Sequence, residues 1–324
     1  MSDRPVISFV IPVRNDALRL RRCLSSIADS SRGRDVEVIV VDNGSTDASA
    51  FEAETAGARV ISRPDIGVAQ LRNDGAMAAH GRLIAFVDAD HELDKGWIAA
   101  AVELFDDRDV SAAGLPYDVP SDANWVQRTY DGLRRRSGDA RCDVDWLPSG
   151  NLIVRKDAFT AIDGFDTTLQ TCEDVDLCRR LRAAGNRIVS DPRLRSVHLG
   201  DPSSLKAVFL GELWRGRDNL KASLRRPISY TELPSIVIPV LDLVLLVGGA
   251  VALSTRSEPG FIVGGIALTG FALLAAIRTA IILGRLAQPT AIDGVRAFAV
   301  AIVYDAARAL ALVAQPGHTV RRRG

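Results

Sequence analysis

Val36-Glu37-Val38-Ile39-Val40-Val41-Asp42-Asn43-Gly44-Ser45-Thr46-Asp47 is the stretch whose reading decides the fold. An apolar run, Val36 to Val41, interrupted only by Glu37, reads as a buried strand, and a carboxylate stands at its end. Asn43-Gly44 suits a tight turn, and a helix pattern from Thr46 to Ala56 stops at Gly57. Asp42 is placed where a strand-end carboxylate can accept hydrogen bonds from a ligand. Ser45 or Thr46 equally suits a helix cap.

The same alternation continues on both sides. Val6 to Val13 is a β-branched run, and Asp16 to Asp29 has helical spacing, with Leu18, Leu20, Leu24 and Ile27 among its apolar positions. Arg59 to Ser62 reads as a strand, Gly67 to Ala79 as a helix and Arg82 to Val87 as a strand. This β-α-β-α-β-α-β order implies an α/β fold, with a mostly parallel sheet and helices on both faces. Ligands bind such sheets at the carboxyl ends of the strands. Two of those ends carry aspartates: Asp42, and the pair Asp88 and Asp90 after Phe86-Val87. Acids spaced in this way can face one hard cation that also bridges phosphates, although such pairs also occur in solvated loops.

Farther on, Trp146 to Arg155 contains Ser149-Gly150-Asn151. Glu173-Asp174 opens a helix that runs to Ala184 and stops at Gly185. Thr171 and Asp174 fit a capping-box-like pattern, and acids favour helix N-termini in any case. The same field keeps a carboxylate ionised and able to take a proton. His198 stands alone after a short apolar segment.

Bulk properties bound the alternatives. The chain has 324 residues, with 40 basic and 40 acidic side chains, which gives no reason to expect a nucleic-acid partner. The four cysteines, Cys23, Cys142, Cys172 and Cys178, form no metal-like spacing and read as reduced buried thiols. No charged-then-apolar leader opens the sequence, so no signal peptide is expected. No GxGxxG follows the first strand, which argues against a dinucleotide-binding oxidoreductase, and no Gly-rich phosphate loop supports a nucleotidyltransferase.

The apolar material is C-terminal. Ser203 to Arg226 is amphipathic and contains Trp214. Two segments, about 233–253 and 261–283, are long enough to span a bilayer. The third, about 291–314, places Asp293, Arg296, Asp305 and Arg308 on one half of a helical wheel and Val295, Phe298, Ile302, Ala306, Leu310 and Val313 on the other. That pattern predicts a helix lying in the interface. Arg225-Arg226 and Arg321 to Arg323 would both be cytosolic with two spans. Asp242 and Arg278 are expected to pair between the spans.

Taken in order, Ile11-Pro12-Val13-Arg14-Asn15, Val41 to Asp47, Gly67 with Leu71-Arg72-Asn73-Asp74-Gly75, Asp88-Ala89-Asp90, Gly150-Asn151, Gly164-Phe165-Asp166, Glu173-Asp174 and His198 resemble the family-2 inverting glycosyltransferases of the GT-A fold. The resemblance covers roughly residues 5 to 200. With the C-terminal apolar pattern, the chain is expected to divide into a domain at 1–202, an amphipathic linker at 203–232 and a membrane region at 233–324. The resemblance implies that Pro12, Arg14, Asp42, Arg72, Asp88, Gly150 and Asn151 bind a nucleotide-sugar, most often a UDP-sugar. Asp90 and His198 would hold Mg²⁺ or Mn²⁺. Asp174, or else Glu173, would be the general base toward an acceptor hydroxyl. The Gln-x-x-Arg-Trp motif of processive members is absent, which implies non-processive transfer. The apolar segments point to a multi-pass cell-membrane enzyme with its catalytic domain in the cytoplasm and a lipid-linked or cell-envelope saccharide acceptor. The alternatives are a polyprenyl-phosphate sugar synthase and a membrane scaffold with a decayed domain.

Overall fold

The computed structural model describes residues 5–134, 140–219 and 233–314. The arginine clusters at 225–226 and 321–323, and much of the expected linker, lie outside the described residues. Among the described residues two compact units form. One lies within Met1–Pro120 and Arg136–Gly200, the other within Ser121–Arg135 and Asp201–Arg323.

The first unit is built on an eight-stranded sheet. In chain order its strands are β1 (Ile7–Val13), β2 (Val36–Asp42), β3 (Arg59–Ser62), β4 (Leu83–Val87), β6 (Val110–Gly114), β7 (Cys142–Asp143), β8 (Asn151–Arg155) and β9 (Arg187–Ser190). Their spatial order is β3-β2-β1-β4-β8-β6-β9-β7. β1 to β4 pair in parallel, β8 runs antiparallel between β4 and β6, and β6 is parallel to β9. A separate antiparallel pair joins β5 (His91–Leu93) to β10 (Ser196–His198).

β1 explains why both faces are covered. Ile7, Phe9, Ile11 and Val13 point into one core, with Leu20, Cys23, Leu24 and Ile27 of α1 (Ala17–Ser31), Ala53 of α2 (Ser49–Thr55) and Trp97 of α4 (Trp97–Leu104). Val10 points the other way, toward Leu71 of α3 (Val68–Ala78), Phe159 of α6 (Lys156–Ala161) and Leu177 of α7 (Glu173–Ala183). A strand buried on both faces needs no polar alternation, hence its largely apolar run, broken only by Ser8, whose buried hydroxyl bonds to Glu37. Gly75 lets α3 sit directly on this sheet, because a Cβ there would strike Val10 and Val41.

Several local expectations change. Leu18 is 70% exposed, off the buried stripe of α1. Neither Ser45 nor Thr46 caps α2, which begins at Ser49 after Ala48. The Ser45 hydroxyl instead accepts from the Asn15 N–H (2.9 Å), and Asn15 Oδ1 accepts from the Thr46 N–H (2.7 Å). Residue Cys172, at φ 62°, is the N-cap of α7 and supplies no side-chain cap, so the capping box does not form. Of the cysteines, Cys23 and Cys178 are buried, but Cys142 is exposed.

The second unit is helical: α5 (Trp125–Arg134), α8 (Leu205–Arg215), α9 (Leu233–Ser254), α10 (Glu258–Leu283) and α11 (Ala291–Ala311). Only α9 and α10, with mean hydropathies of 2.6 and 2.2, are long and apolar enough to cross a membrane among the described residues. Their outward positions are large and apolar, including Val244, Val251, Ile266 and Leu273. On α11 the charged half turns toward protein partners, and Val295 (71% exposed) and Val313 (62% exposed) face outward.

The expected Asp242–Arg278 pair is replaced. Both Nε and a terminal nitrogen of Arg278 lie 2.7 Å from Asp305 Oδ1, and Asp305 is 1% exposed. Asp242 is buried, with no hydrogen-bond partner for either carboxylate oxygen among the described residues. The pairing inferred from two spans failed because a third helix, α11, delivers a carboxylate to the same arginine.

Candidate functional site

The parallel strands β1, β2 and β4 end on one edge, and their last residues lead into Arg14, Asp42 and Asp88. Asp42 is 6% exposed, and both of its oxygens lie 3.2 Å from the Ser45 N–H, so the Asn43-Gly44 turn folds back onto the carboxylate. Gly44 takes φ +73°, which that turn requires. Pro12 stands opposite Val41 in the register, half-buried. Arg14 is exposed and pairs with Asp65 at 3.4 Å.

Arg72 is the hub of the site. It is 3% exposed, and two of its terminal nitrogens make 2.7 Å bonds, one to Asp88 Oδ1 and one to Glu173 Oε1. The guanidinium also lies 5.6 Å from the centre of the Phe165 ring. Asn73, the next residue, fixes that phenylalanine: its amide accepts from the Phe165 N–H (2.9 Å) and donates to the Phe165 carbonyl (2.8 Å). The guanidinium is thus committed to two acids and an aromatic face, instead of lying open along a base pocket.

The two acids at the start of α7 differ in environment. Glu173 is buried and neutralised by Arg72. Among the described residues Asp174 makes no ion pair within 4 Å. Burial, reinforced by the neighbouring Glu173 charge, pushes its pKa up to about 7, although Val175 N–H, Arg72 and Ser149 N–H act the other way. A carboxylate poised near neutrality can accept a proton in the working pH range.

Asp90, His91 and His198 form a second cluster, with one ligand-type atom from each within 4.8 Å of the others. His198 Nε2 lies 3.1 Å from Asp90 Oδ2, and an Arg19 nitrogen lies 3.7 Å from the same oxygen. Burial opposes ionisation of Asp90, but His198, His91 and Arg19 more than offset it and hold the carboxyl well below the usual range. Two glycines let backbone approach these acids. A Cβ on Gly200 would overlap the Asp90 carboxylate, and one on Gly150 would stand 2.8 Å from Asp88 Oδ2 and 3.0 Å from His91 Nε2. One oxygen and two nitrogen donors, held close and largely buried, suit a divalent transition-metal ion.

Residues 8–159 match the glycosyl transferase family 2 model. The chain carries a glycosyl transferase family 2 domain. A pre-mycofactocin glycosyltransferase of Mycobacterium tuberculosis is 32% identical over 205 residues, covering 59% of this chain and 42% of its own length. Glycosyltransferase AglE of Haloferax volcanii is 26% identical over 195 residues, 57% of this chain and 64% of its own. The chain therefore spans well under half of the mycobacterial relative. The mannosyltransferase PcManGT from Pyrobaculum calidifontis, solved with GDP-Man and Mn²⁺, superposes with a TM-score of 0.62 at 18% identity, over 93% of this chain and 87% of that one. GalNAc-T7, solved with UDP, GalNAc and Mn²⁺, gives 0.50 at 17% identity over 72% of this chain and 54% of that one. At these identities the likeness is one of fold, and that fold is GT-A.

Within the family 2 domain, Asn151 is a structural clamp. It is fully buried; its Oδ1 accepts from Trp97 Nε1 (2.9 Å), and its Nδ2 donates to the carbonyls of Leu115 (3.0 Å) and Leu194 (2.8 Å). Such a side chain has no face left for a sugar, so the expected direct contact is withdrawn, and only its neighbour Gly150 borders the acids. Sequence reasoning missed His91. The signal was its position beside Asp90 at the start of a strand whose cross-strand partner is His198.

Proposed function

We propose that this chain transfers a sugar from a nucleotide-sugar to an acceptor hydroxyl at a membrane surface, with inversion at the anomeric carbon and help from a divalent cation. The observation that carries the reading is Arg72, which ties the acids at the end of β4 to the start of α7. One side of that tie holds the candidate ion ligands, the other the protonatable Asp174.

Asp90 and His198 would hold Mg²⁺ or Mn²⁺, and such an ion would supply positive charge opposite the diphosphate leaving group. Pro12 and Asp42 line the edge where the base and ribose would rest. Asp88, steadied by Arg72, faces the ribose or the ion's surroundings. Arg14 is exposed near this edge and can reach a phosphate or base by leaving its surface pair with Asp65, which is worth about 0–1 kcal/mol. Asp174 takes the acceptor proton. Glu173 is unsuited to that role, because its carboxylate is already bonded to Arg72 and a proton there would break a buried pair.

The apolar outer faces of α9 and α10 support membrane attachment, with α11 lying along the interface and its Val295 and Val313 side toward lipid. Attachment would confine enzyme and acceptor to one surface, favouring a lipid-linked saccharide. The test is nucleoside diphosphate release by the detergent-purified full chain, given UDP- and GDP-sugars, Mn²⁺ and a membrane lipid extract. Lipid-dependent release, lost in Asp174→Asn, supports the reading. Lipid-dependent release that Asp174→Asn leaves intact would point to an acceptor already ionised, such as a lipid phosphate. No release with any donor contradicts it.

A further inference from the structure

We infer that His91 is a third protein ligand of the cation, through Nε2, and that the resulting set of one carboxylate and two imidazoles selects Mn²⁺-like ions over Mg²⁺. The inference rests on the metal-dependent reading above and narrows it to a ligand set and an ion.

Three independent features converge on it. First, His91 and His198 are direct cross-strand partners in the β5–β10 pair. Directly opposed residues project from the same face of a two-stranded ribbon, so the pairing brings both imidazoles to one side, with ring centres 4.9 Å apart. Second, His91 Nδ1 lies 3.1 Å from the Ser196 hydroxyl, on the same strand as His198. A ring whose Nδ1–H is held by an oxygen keeps the Nε2 lone pair for a metal, the arrangement that orients most ligating histidines. Third, Nε2 lies on the Gly150 side of the ring, near Asp88. A Cβ built on Gly150 would lie 3.0 Å from His91 Nε2 and 2.8 Å from Asp88 Oδ2, so the space between them is kept clear by the absence of a side chain.

The ring is fixed further by Tyr117, whose centroid lies 4.7 Å from His91 and 4.6 Å from His198. His91 is 1% exposed, so its imidazole is already ordered before any ion arrives. Magnesium takes oxygen ligands almost exclusively and gives up water reluctantly, whereas Mn²⁺, although it also favours oxygen, belongs to the first-row divalent ions that bind mixed nitrogen and oxygen sites. A site with two nitrogens therefore discriminates between them by donor type.

The test counts nitrogens. Mn²⁺ with UDP or GDP is added to the detergent-purified full chain, and electron spin-echo modulation reads the ¹⁴N nuclei coupled to the ion. Two coupled imidazoles in the wild type, falling to one in His91→Asn, are expected. In the same variant Mn²⁺ affinity should fall at least tenfold, with a smaller change for Mg²⁺ in competition, so the Mn²⁺/Mg²⁺ preference narrows. Ser196→Ala, which frees Nδ1 and leaves the ring in place, should lower Mn²⁺ affinity by a smaller factor. A wild-type spectrum with a single coupled imidazole, lost in His198→Asn, overturns the inference and leaves the transferase reading standing. Failure of the wild type to bind Mn²⁺ in any form overturns both.

Discussion

Replacing Asp174 by Asn should remove proton acceptance without disturbing donor binding. The Asp174 pKa is pushed up to about 7 by burial beside Glu173. The base works only when ionised, so kcat/KM should fall as pH drops through that value. Activity should therefore rise between pH 6 and pH 8, with its midpoint near 7. Asp174→Asn should cut the rate by about 10²–10⁴-fold and flatten this limb of the profile. The stability effect has the opposite sign. An acid whose folded pKa is raised disfavours the fold once ionised, so its cost grows above the unfolded pKa near 3.8 and levels off past about 7. Asp174→Asn should therefore be at least as stable as the wild type at pH 8, by no more than about 4 kcal/mol, with the gap closing toward pH 4. The assays are nucleotide release from pH 5.5 to 8.5 and urea unfolding at both pH extremes. A wild-type profile flat between pH 6 and 8, or an Asp174→Asn enzyme with near-normal kcat, would refute the reasoning.

Other perturbations read other parts of the site. Arg72→Ala strands Glu173 without its partner, and removing one member of a buried pair costs about 3–5 kcal/mol, visible as a lower urea midpoint. Asn151→Ala should destabilise by about 2–4 kcal/mol and shift Trp97 fluorescence, since the indole N–H loses its acceptor. Gly200→Ala would push a methyl into the Asp90 carboxylate and should weaken Mn²⁺ binding by about 10–100-fold with the fold retained, as read by calorimetry. In the helical unit, Asp242→Asn should leave thermal stability in detergent unchanged or higher, whereas Arg278→Gln, which leaves buried Asp305 without its cation, should lower it.

Much of the sheet was legible because its inner strands are rich in buried β-branched residues, with one polar residue each inside β1 (Ser8) and β2 (Glu37); β1, β2 and the edge strand β3 fall within a residue of their expected limits. The stretch between Asp90 and Trp146 was not. There β6 is a five-residue Val-Ser-Ala-Ala-Gly strand and α4 only eight residues long, too short and too Ala-rich to carry a period. Nothing local shows that α5 clusters with the helices that follow Gly200, because that grouping depends on contacts such as Tyr130 with Glu212, far apart in sequence. The site shows the same division. Residues at strand ends, Asp42, Asp88 and Asp90, could be placed from pattern alone. The partners of Arg72 and the burial of Asn151 could not, since they are set by residues 16 to 101 positions away.

The most direct measurement of the central claim is the binding of UDP and GDP to the detergent-purified chain with and without Mn²⁺, for the wild type and Asp90→Ala. The account predicts Mn²⁺-dependent binding of one nucleotide that is abolished by Asp90→Ala. Binding that ignores both the metal and the substitution, or no binding of either nucleotide, would contradict it.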